Sequence, residues 1–244
     1  MTNTKKTIAL ISGANQGIGL AVAAQLAKDH GYHVIIGSRN ASAGEQAVAT
    51  IASEGVSIST VQLDLASDDS ISAAVKSIEQ QFGVLDVLVN NAGVLLDLDK
   101  TLSTRDLFSQ TLETNVIGTA CLTEACLPLL KKSELPRVVF VSSRMGSVTC
   151  SLDKSTLYYE TDYKAYDSSK AAVNMLASNY ARILEGSGGL VNVACPGLIK
   201  TKLTGYHAYG GTTEEGAKRI VELATLEKGG QTGTFSDRGG EVPW

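Results

Sequence analysis

Six short, largely apolar runs recur along this 244-residue chain, most of them followed by a longer stretch with helical spacing, and this alternation constrains the fold more than any other feature. The runs are 7–11, 33–36, 57–63, 85–89, 137–141 and 190–194. The helical stretches are 17–30, 41–53, 68–82, 102–132, 163–185 and 213–226. A strand that is apolar on both faces has to be covered on both, whereas a half-exposed strand alternates apolar and polar residues. Strand–helix–strand repetition therefore predicts an α/β fold: a doubly wound parallel sheet of Rossmann type with six or seven strands and right-handed crossovers. No internal repeat or low-complexity linker divides residues 1–244, so a single domain is expected. In such a sheet ligands bind beyond the carboxyl ends of the strands. The irregular stretches 144–162, 198–212 and the Gly-rich tail from Gly229 read as functional loops.

Composition excludes several classes. The formal net charge is −4 and no basic block is present, which argues against a nucleic-acid partner. The four cysteines, Cys121, Cys126, Cys150 and Cys195, form no Cys-x-x-Cys pair and read as reduced thiols of a cytoplasmic protein. His30, His33 and His207 show no metal-ligand spacing, so no metal is expected. The opening residues lead into an apolar run, 7–11, too short for a signal-peptide core, and no run approaches the roughly 20 residues of a membrane span.

The first run ends in Ser12-Gly13-Ala14-Asn15-Gln16-Gly17-Ile18-Gly19, between a strand and a helix. Glycines there allow a tight turn and bring backbone N–H groups close to a pyrophosphate. The Gly-x-x-x-Gly-x-Gly spacing differs from the common dinucleotide fingerprint, and a plain turn with packing glycines is the bland alternative. The second run leads into Ser38-Arg39-Asn40. An acid at this place would hold a ribose 2′-hydroxyl; a guanidinium instead pairs with a 2′-phosphate. One such charge-assisted bond contributes roughly 1.5–3 kcal/mol, about a ten- to hundred-fold preference for NADPH. The alternative is a solvated arginine opening a helix. Asp64, followed by Leu65, either accepts from an adenine amino group or caps the next helix.

Tyr166 and Lys170 stand four residues apart in a helical pattern, on one face. A lysine charge about 5 Å from the phenol, at an effective dielectric near 20, is worth roughly 3 kcal/mol, or about two pKa units downward. The pair then serves as general acid for ketone reduction or general base for alcohol oxidation. Alone, Tyr-x-x-x-Lys arises by chance on many helices. Tyr163 is a decoy, because Asp167 stands where its lysine should be. Ser143, at the end of the fifth run, can donate to a carbonyl oxygen or simply cap the strand end. Asn115 is unusual inside a helical stretch; a structural water, a kink or a proton relay could explain it.

With these residues in order, the chain resembles the short-chain dehydrogenase/reductase family from Ser12 to its last residues. The ordered matches are the glycine turn, Asp64, Asn90-Asn91-Ala92-Gly93, Asn115, Ser143, Tyr166 with Lys170, and Pro196-Gly197. The resemblance implies that Asn91, Ala92 and Gly93 stabilise the sheet and flank the cofactor. It implies that Lys170 holds the nicotinamide ribose, that Asn115 holds a water linking Lys170 to solvent, and that Pro196, Gly197, Ile199 and Thr201 cover the nicotinamide. Ser12 replaces the family's usual threonine, and the Ser143–Tyr166 interval is longer than in most members. The tail, 232–244, looks like that of the carbonyl reductase subgroup; monomer and homo-oligomer both stay open.

A substrate pocket is expected from 94–98, 144–159 and 198–209, which supply Leu95, Leu96, Met145, Leu157, Tyr158, Tyr206 and Tyr209. Such a lining suits a medium-sized, weakly polar ketone or aldehyde and its alcohol. Rival readings on the same fold are a non-catalytic NADP-binding regulator and a dehydratase or epimerase.

Overall fold

A computed structural model describes residues 6–156 and 158–244 of the chain. Met1 to Lys5 of the opening segment and Leu157 of the expected pocket lie outside the described residues. The first half runs β1 (Ile8–Ser12), α1 (Gly17–Asp29), β2 (His33–Ser38), α2 (Ala41–Ile51), β3 (Ser57–Gln62), α3 (Asp68–Phe82) and β4 (Val87–Asn90). The second half runs α4 (Thr104–Leu112), a π-helical segment (Glu113–Gly118), α5 (Thr119–Leu130), β5 (Arg137–Val141), the short α6 (Val148–Ser151), α7 (Lys164–Glu185), β6 (Leu190–Ala194), α8 (Thr213–Ala224), β7 (Phe235–Asp237) and β8 (Gly240–Glu241).

The strands form one sheet in the order β3-β2-β1-β4-β5-β6-β7-β8. All pairs are parallel except β7 with β8. The sheet thus has eight strands, not six or seven. The additional pair is a small hairpin in the tail, where short strands separated by Arg238-Gly239 carry too few alternating residues to be read as strands. The strand order reverses at β1, whose neighbours are β2 and β4, and the crevice there is the switch point of a doubly wound sheet.

The continuous apolar runs do what two-sided burial demands. Alternate residues of β1 point to opposite layers: Leu10 packs with Leu88, Phe140, Leu122 and Val173, while Ala9 and Ile11 pack with Val89, Val22, Leu26 and Ile220. Each fully buried side chain of this size is worth roughly 1.5–3 kcal/mol against exposure. β3 is the exception because it is the sheet edge. Its Ser57 and Ser59 hydroxyls meet the two ring nitrogens of His33 at 2.8 and 3.0 Å.

The stretch 102–132 is not one helix. It breaks into α4, the π-helical segment and α5. Two close approaches explain the break. A Cβ on Gly118 would lie 2.3 Å from the Leu65 carbonyl oxygen, so backbone meets backbone there. Asn115 turns inward and spends its amide on a neighbouring loop, described below. One extra residue in the turn accommodates both.

Among the described residues, no helix is long and apolar enough to cross a membrane. No group of three or more His, Cys, Asp or Glu residues among them could hold a metal ion.

Candidate active site

Because the main sheet is parallel, the ends of β1, β4, β5 and β6 open onto the same edge. The glycine turn leaves β1 with Gly13 at φ +64° and Gly17 at φ +61°, backbone that L side chains rarely adopt. A Cβ on Gly19 would lie 2.5 Å from Asn91 Nδ2, so this turn can sit against the β4 loop only as glycine. Gln16 precedes α1 in extended backbone, with no side-chain cap and no acid in the first turn. The first N–H groups of α1 are therefore left without a side-chain acceptor, beside a cradle cleared of side chains. That combination fits a pyrophosphate.

Ser12 and Asn91 stitch the crevice rather than face it. The Ser12 hydroxyl accepts from Asn91 N and Ala92 N, both at 3.0 Å, and Asn91 Nδ2 donates to the Ser12 carbonyl at 2.9 Å. Asn90 donates to Thr123 Oγ1 at 2.9 Å, in the layer behind. Ala14 is buried, whereas Asn15, Gln16 and Ile18 are more open.

At the end of β2, Ser38 is buried and its hydroxyl donates to the Asn40 carbonyl at 2.7 Å. Asn40 Oδ1 caps α2 by accepting from Ala43 N at 2.9 Å. Arg39 stays exposed, with Gln62 donating to its carbonyl and no ion pair to its guanidinium among the described residues. Asp64 is not the cap of α3; that role falls to Ser67, whose hydroxyl accepts from Ser70 N. Asp64 Oδ1 instead accepts from Ala66 N at 3.1 Å.

Tyr166 and Lys170 lie on the buried face of α7, and Lys170 Nζ stands 5.5 Å from the centre of the Tyr166 ring. Nζ also donates to the Val141 carbonyl at 2.9 Å, at the end of β5. Burial lowers the Lys170 pKa to about 8, with Cys195 opposing the shift. Burial also governs Tyr166, and in the direction opposite to expectation: it pushes the phenol up, helped by Cys195, Asp167 and Asp97. The two-unit downward shift expected from Lys170 counted the lysine charge alone and left out desolvation. Both groups are in fact buried, and desolvation penalises phenolate and ammonium alike.

Asn115 is buried, and its amide makes three bonds within the protein. Oδ1 accepts from Val94 N at 2.7 Å, while Nδ2 donates to the Val94 carbonyl and to Ser169 Oγ, both at 2.9 Å. Ser169 Oγ donates in turn to the Tyr166 carbonyl at 2.7 Å. Asn115 therefore pins the β4 loop to the helix that carries Tyr166. Gly93 lies over both groups: a Cβ there would be 3.2 Å from Asn115 Oδ1 and 3.6 Å from Lys170 Nζ.

Ser143 lies two residues beyond β5, half-buried, its hydroxyl accepting from Met145 N at 3.2 Å. The capping reading holds for its lone pair, and the hydroxyl proton is left to donate. Three contacts hold this turn. A Cβ on Gly146 would lie 2.6 Å from the Lys170 backbone. Arg144 N donates to Cys195 Sγ at 3.3 Å, and Arg144 Nε pairs with Asp237 Oδ2 at 2.6 Å. Beyond β6, Pro196 is buried, Gly197 has φ +83° and Ile199 packs against Gly211 and Gly216. Thr201 faces Gly17, its methyl 3.5 Å from where a Cβ would be.

Sequence reasoning missed Ser169, Asp97, and the Arg144–Asp237 pair. Ser169 could have been found as the residue one turn beyond Tyr166 on the same helix face. Asp97, whose carboxylate accepts from Ala165 N and Tyr166 N, left no signal because its partner lies 68 residues away.

The profile of the family described as short chain dehydrogenase matches residues 7–208. A short-chain dehydrogenase of Penicillium roqueforti is 37% identical over 92% of this chain and 91% of its own. Carbonyl reductase [NADPH] 1 of Mus musculus is 30% identical over 99% of this chain and 100% of its own. Among solved structures, the NADPH-bound carbonyl reductase from chicken fatty liver superposes with a TM-score of 0.84 at 26% identity, covering 98% of this chain and 100% of that one.

Proposed function

The chain belongs to the short-chain dehydrogenase family and is an NADP-dependent oxidoreductase, and from that premise we propose that it reduces a medium-sized, weakly polar ketone or aldehyde with NADPH. The observation that carries the reading is the Lys170 ammonium 5.5 Å from the Tyr166 ring, at the carboxyl edge of the sheet just beyond which Ser143 follows β5. We take residues 1–244 as one dinucleotide-binding and catalytic domain, and the four free thiols support a cytoplasmic setting.

Residues present at the edge fit the cofactor. Gly13, Gly17 and the uncapped start of α1 would hold the pyrophosphate, and Arg39 with Ser38 the 2′-phosphate. Asp64 and Leu65 would lie at the adenine. Lys170 would hold the nicotinamide ribose, with Ile199 and Thr201 at the carboxamide. Bound there, NADPH supplies a hydride to the carbonyl carbon.

The chain's own groups handle the oxygen and the proton. Ser143 Oγ donates to the carbonyl oxygen and stabilises the charge that develops there. Tyr166, held protonated by burial, donates its proton to that oxygen. Lys170, its pKa lowered by burial to about 8, stabilises the phenolate left behind through its ammonium.

The loop after β6 supports the proposed substrate class. Leu198, Leu203, Tyr206 and Tyr209 all point substantially into solvent on the loop after β6, with Tyr209 85% exposed. Exposed apolar side chains concentrated on one loop are a usual mark of a surface that takes a weakly polar ligand. The test is NADPH consumption, followed optically, against a series of ketones and aldehydes of graded size and polarity. Turnover concentrated on the apolar members supports the reading. NADPH binding without turnover of any carbonyl contradicts it.

A further inference from the structure

Among the described residues, Asp97 is the only carboxylate in the buried set. It sits in the loop that leaves β4, and it reaches across to the start of α7. Oδ1 accepts from Ala165 N at 2.8 Å and Oδ2 from Tyr166 N at 3.2 Å. The first N–H groups of a helix have no partners within the helix and are ordinarily satisfied by the residue just before it. Here that residue is Tyr163, whose side chain makes no capping bond. Asp97 takes over the task, with a negative charge placed where the helix dipole favours one.

Resting on the reading of Tyr166 as proton donor, we propose that Asp97 is its positioning residue: by clamping the Ala165 and Tyr166 amides it sets where the phenol stands against the cofactor-side loop. The same loop begins with Asn91, Ala92 and Gly93, so one carboxylate ties the phenol's helix to the crevice. Asn115 makes a second tie through Ser169. The clamp also has an electrostatic consequence. The groups facing Tyr166 are Lys170 and Asp167 on α7, Cys195 after β6, and Asp97 itself. Around Asp97 stand Lys100, which donates to its carbonyl, and Lys164; Asp162 and Asp97 both face Asp167. In that setting the Asp97 charge helps hold the phenol protonated.

Two variants test this. Asp97→Asn keeps the size but removes the charge and one acceptor; Asp97→Ala removes the clamp. For each, kcat and KM for NADPH are measured across pH with a carbonyl the wild type turns over, together with amide exchange at Ala165 and Tyr166. The loss of a charge-assisted bond predicts a fall in kcat of about tenfold or more and a comparable acceleration of exchange at those two amides. KM for NADPH should change by less than about threefold, because Asp97 bonds only the Ala165 and Tyr166 backbone amides and not the glycine turn, Arg39 or the Lys170 ammonium that would hold NADPH. In Asp97→Asn the alkaline limb of kcat should move to lower pH, since a neighbouring negative charge has gone. A role in folding alone would not move that limb. If Asp97→Ala does not fold, Asp97→Asn decides. A folded Asp97→Asn with unchanged kcat and unchanged alkaline limb overturns the inference, even if exchange has quickened. A wild type that turns over no carbonyl overturns the parent reading, and this inference with it.

Discussion

Lys170 presents its ammonium to the Tyr166 ring from 5.5 Å while donating to the Val141 carbonyl at 2.9 Å. The lysine is thus fixed by the sheet, and the phenol is fixed relative to the lysine. Burial of this pair has a measurable cost in the protein itself. Lys170 has a folded pKa of about 8, below the ordinary lysine value of 10.5. Between those two pH values the unfolded chain binds more protons than the folded one, so this residue makes stability rise with pH from about 8. From near pH 10 the raised Tyr166 pKa acts in the opposite sense. Urea unfolding at a series of pH values should show wild type gaining roughly 2 kcal/mol relative to Lys170→Met between about pH 8 and 10. A constant difference over that window would show that Lys170 is not desolvated.

Asn115 bonds both backbone groups of Val94 and Ser169 Oγ. Asn115→Ala removes the partner of the half-buried Val94 backbone and one partner of the buried Ser169 hydroxyl, which keeps its bond to the Tyr166 carbonyl, at about 1–3 kcal/mol for any group that stays buried and finds no substitute. The variant should lose several degrees of melting temperature as well as activity. A loss of activity with an unchanged melting temperature would point to a purely chemical role for the side chain.

In the proposed reading Arg39 carries the cofactor choice. Its guanidinium is exposed and forms no ion pair among the described residues, so it has little structural work to lose. Arg39→Asp should lower the ratio of kcat/KM for NADPH over NADH by about ten- to hundred-fold or more, with little change in melting temperature. An unchanged ratio would move the 2′-phosphate contact to another residue.

Much of this was legible in the sequence because it is written in local spacing. Apolar runs such as residues 137–141 gave buried parallel strands, and Tyr166 with Lys170 did fall on one helix face. Three features were not legible, each for a physical reason. The tail hairpin β7–β8 is too short to show alternation. The π-helical segment around Asn115 arises from contacts with Val94 and Leu65, remote in sequence. The direction of the Tyr166 shift depends on how deeply the pair is buried, and spacing along a helix says nothing about burial by other layers. Asp64 shows the same limit on a small scale: an acid near a helix start was a reasonable cap, but Ser67 lies closer to the first turn and takes the bond.

The central claim is that the Tyr166 hydroxyl supplies the proton. The direct measurement is single-turnover reduction of an accepted carbonyl by Tyr166→Phe, beside wild type, with NADPH affinity measured separately. Removing a positioned general acid should slow the reduction by about 100- to 10,000-fold while leaving NADPH affinity essentially unchanged. A Tyr166→Phe protein that reduces the carbonyl at the wild-type rate would contradict the account.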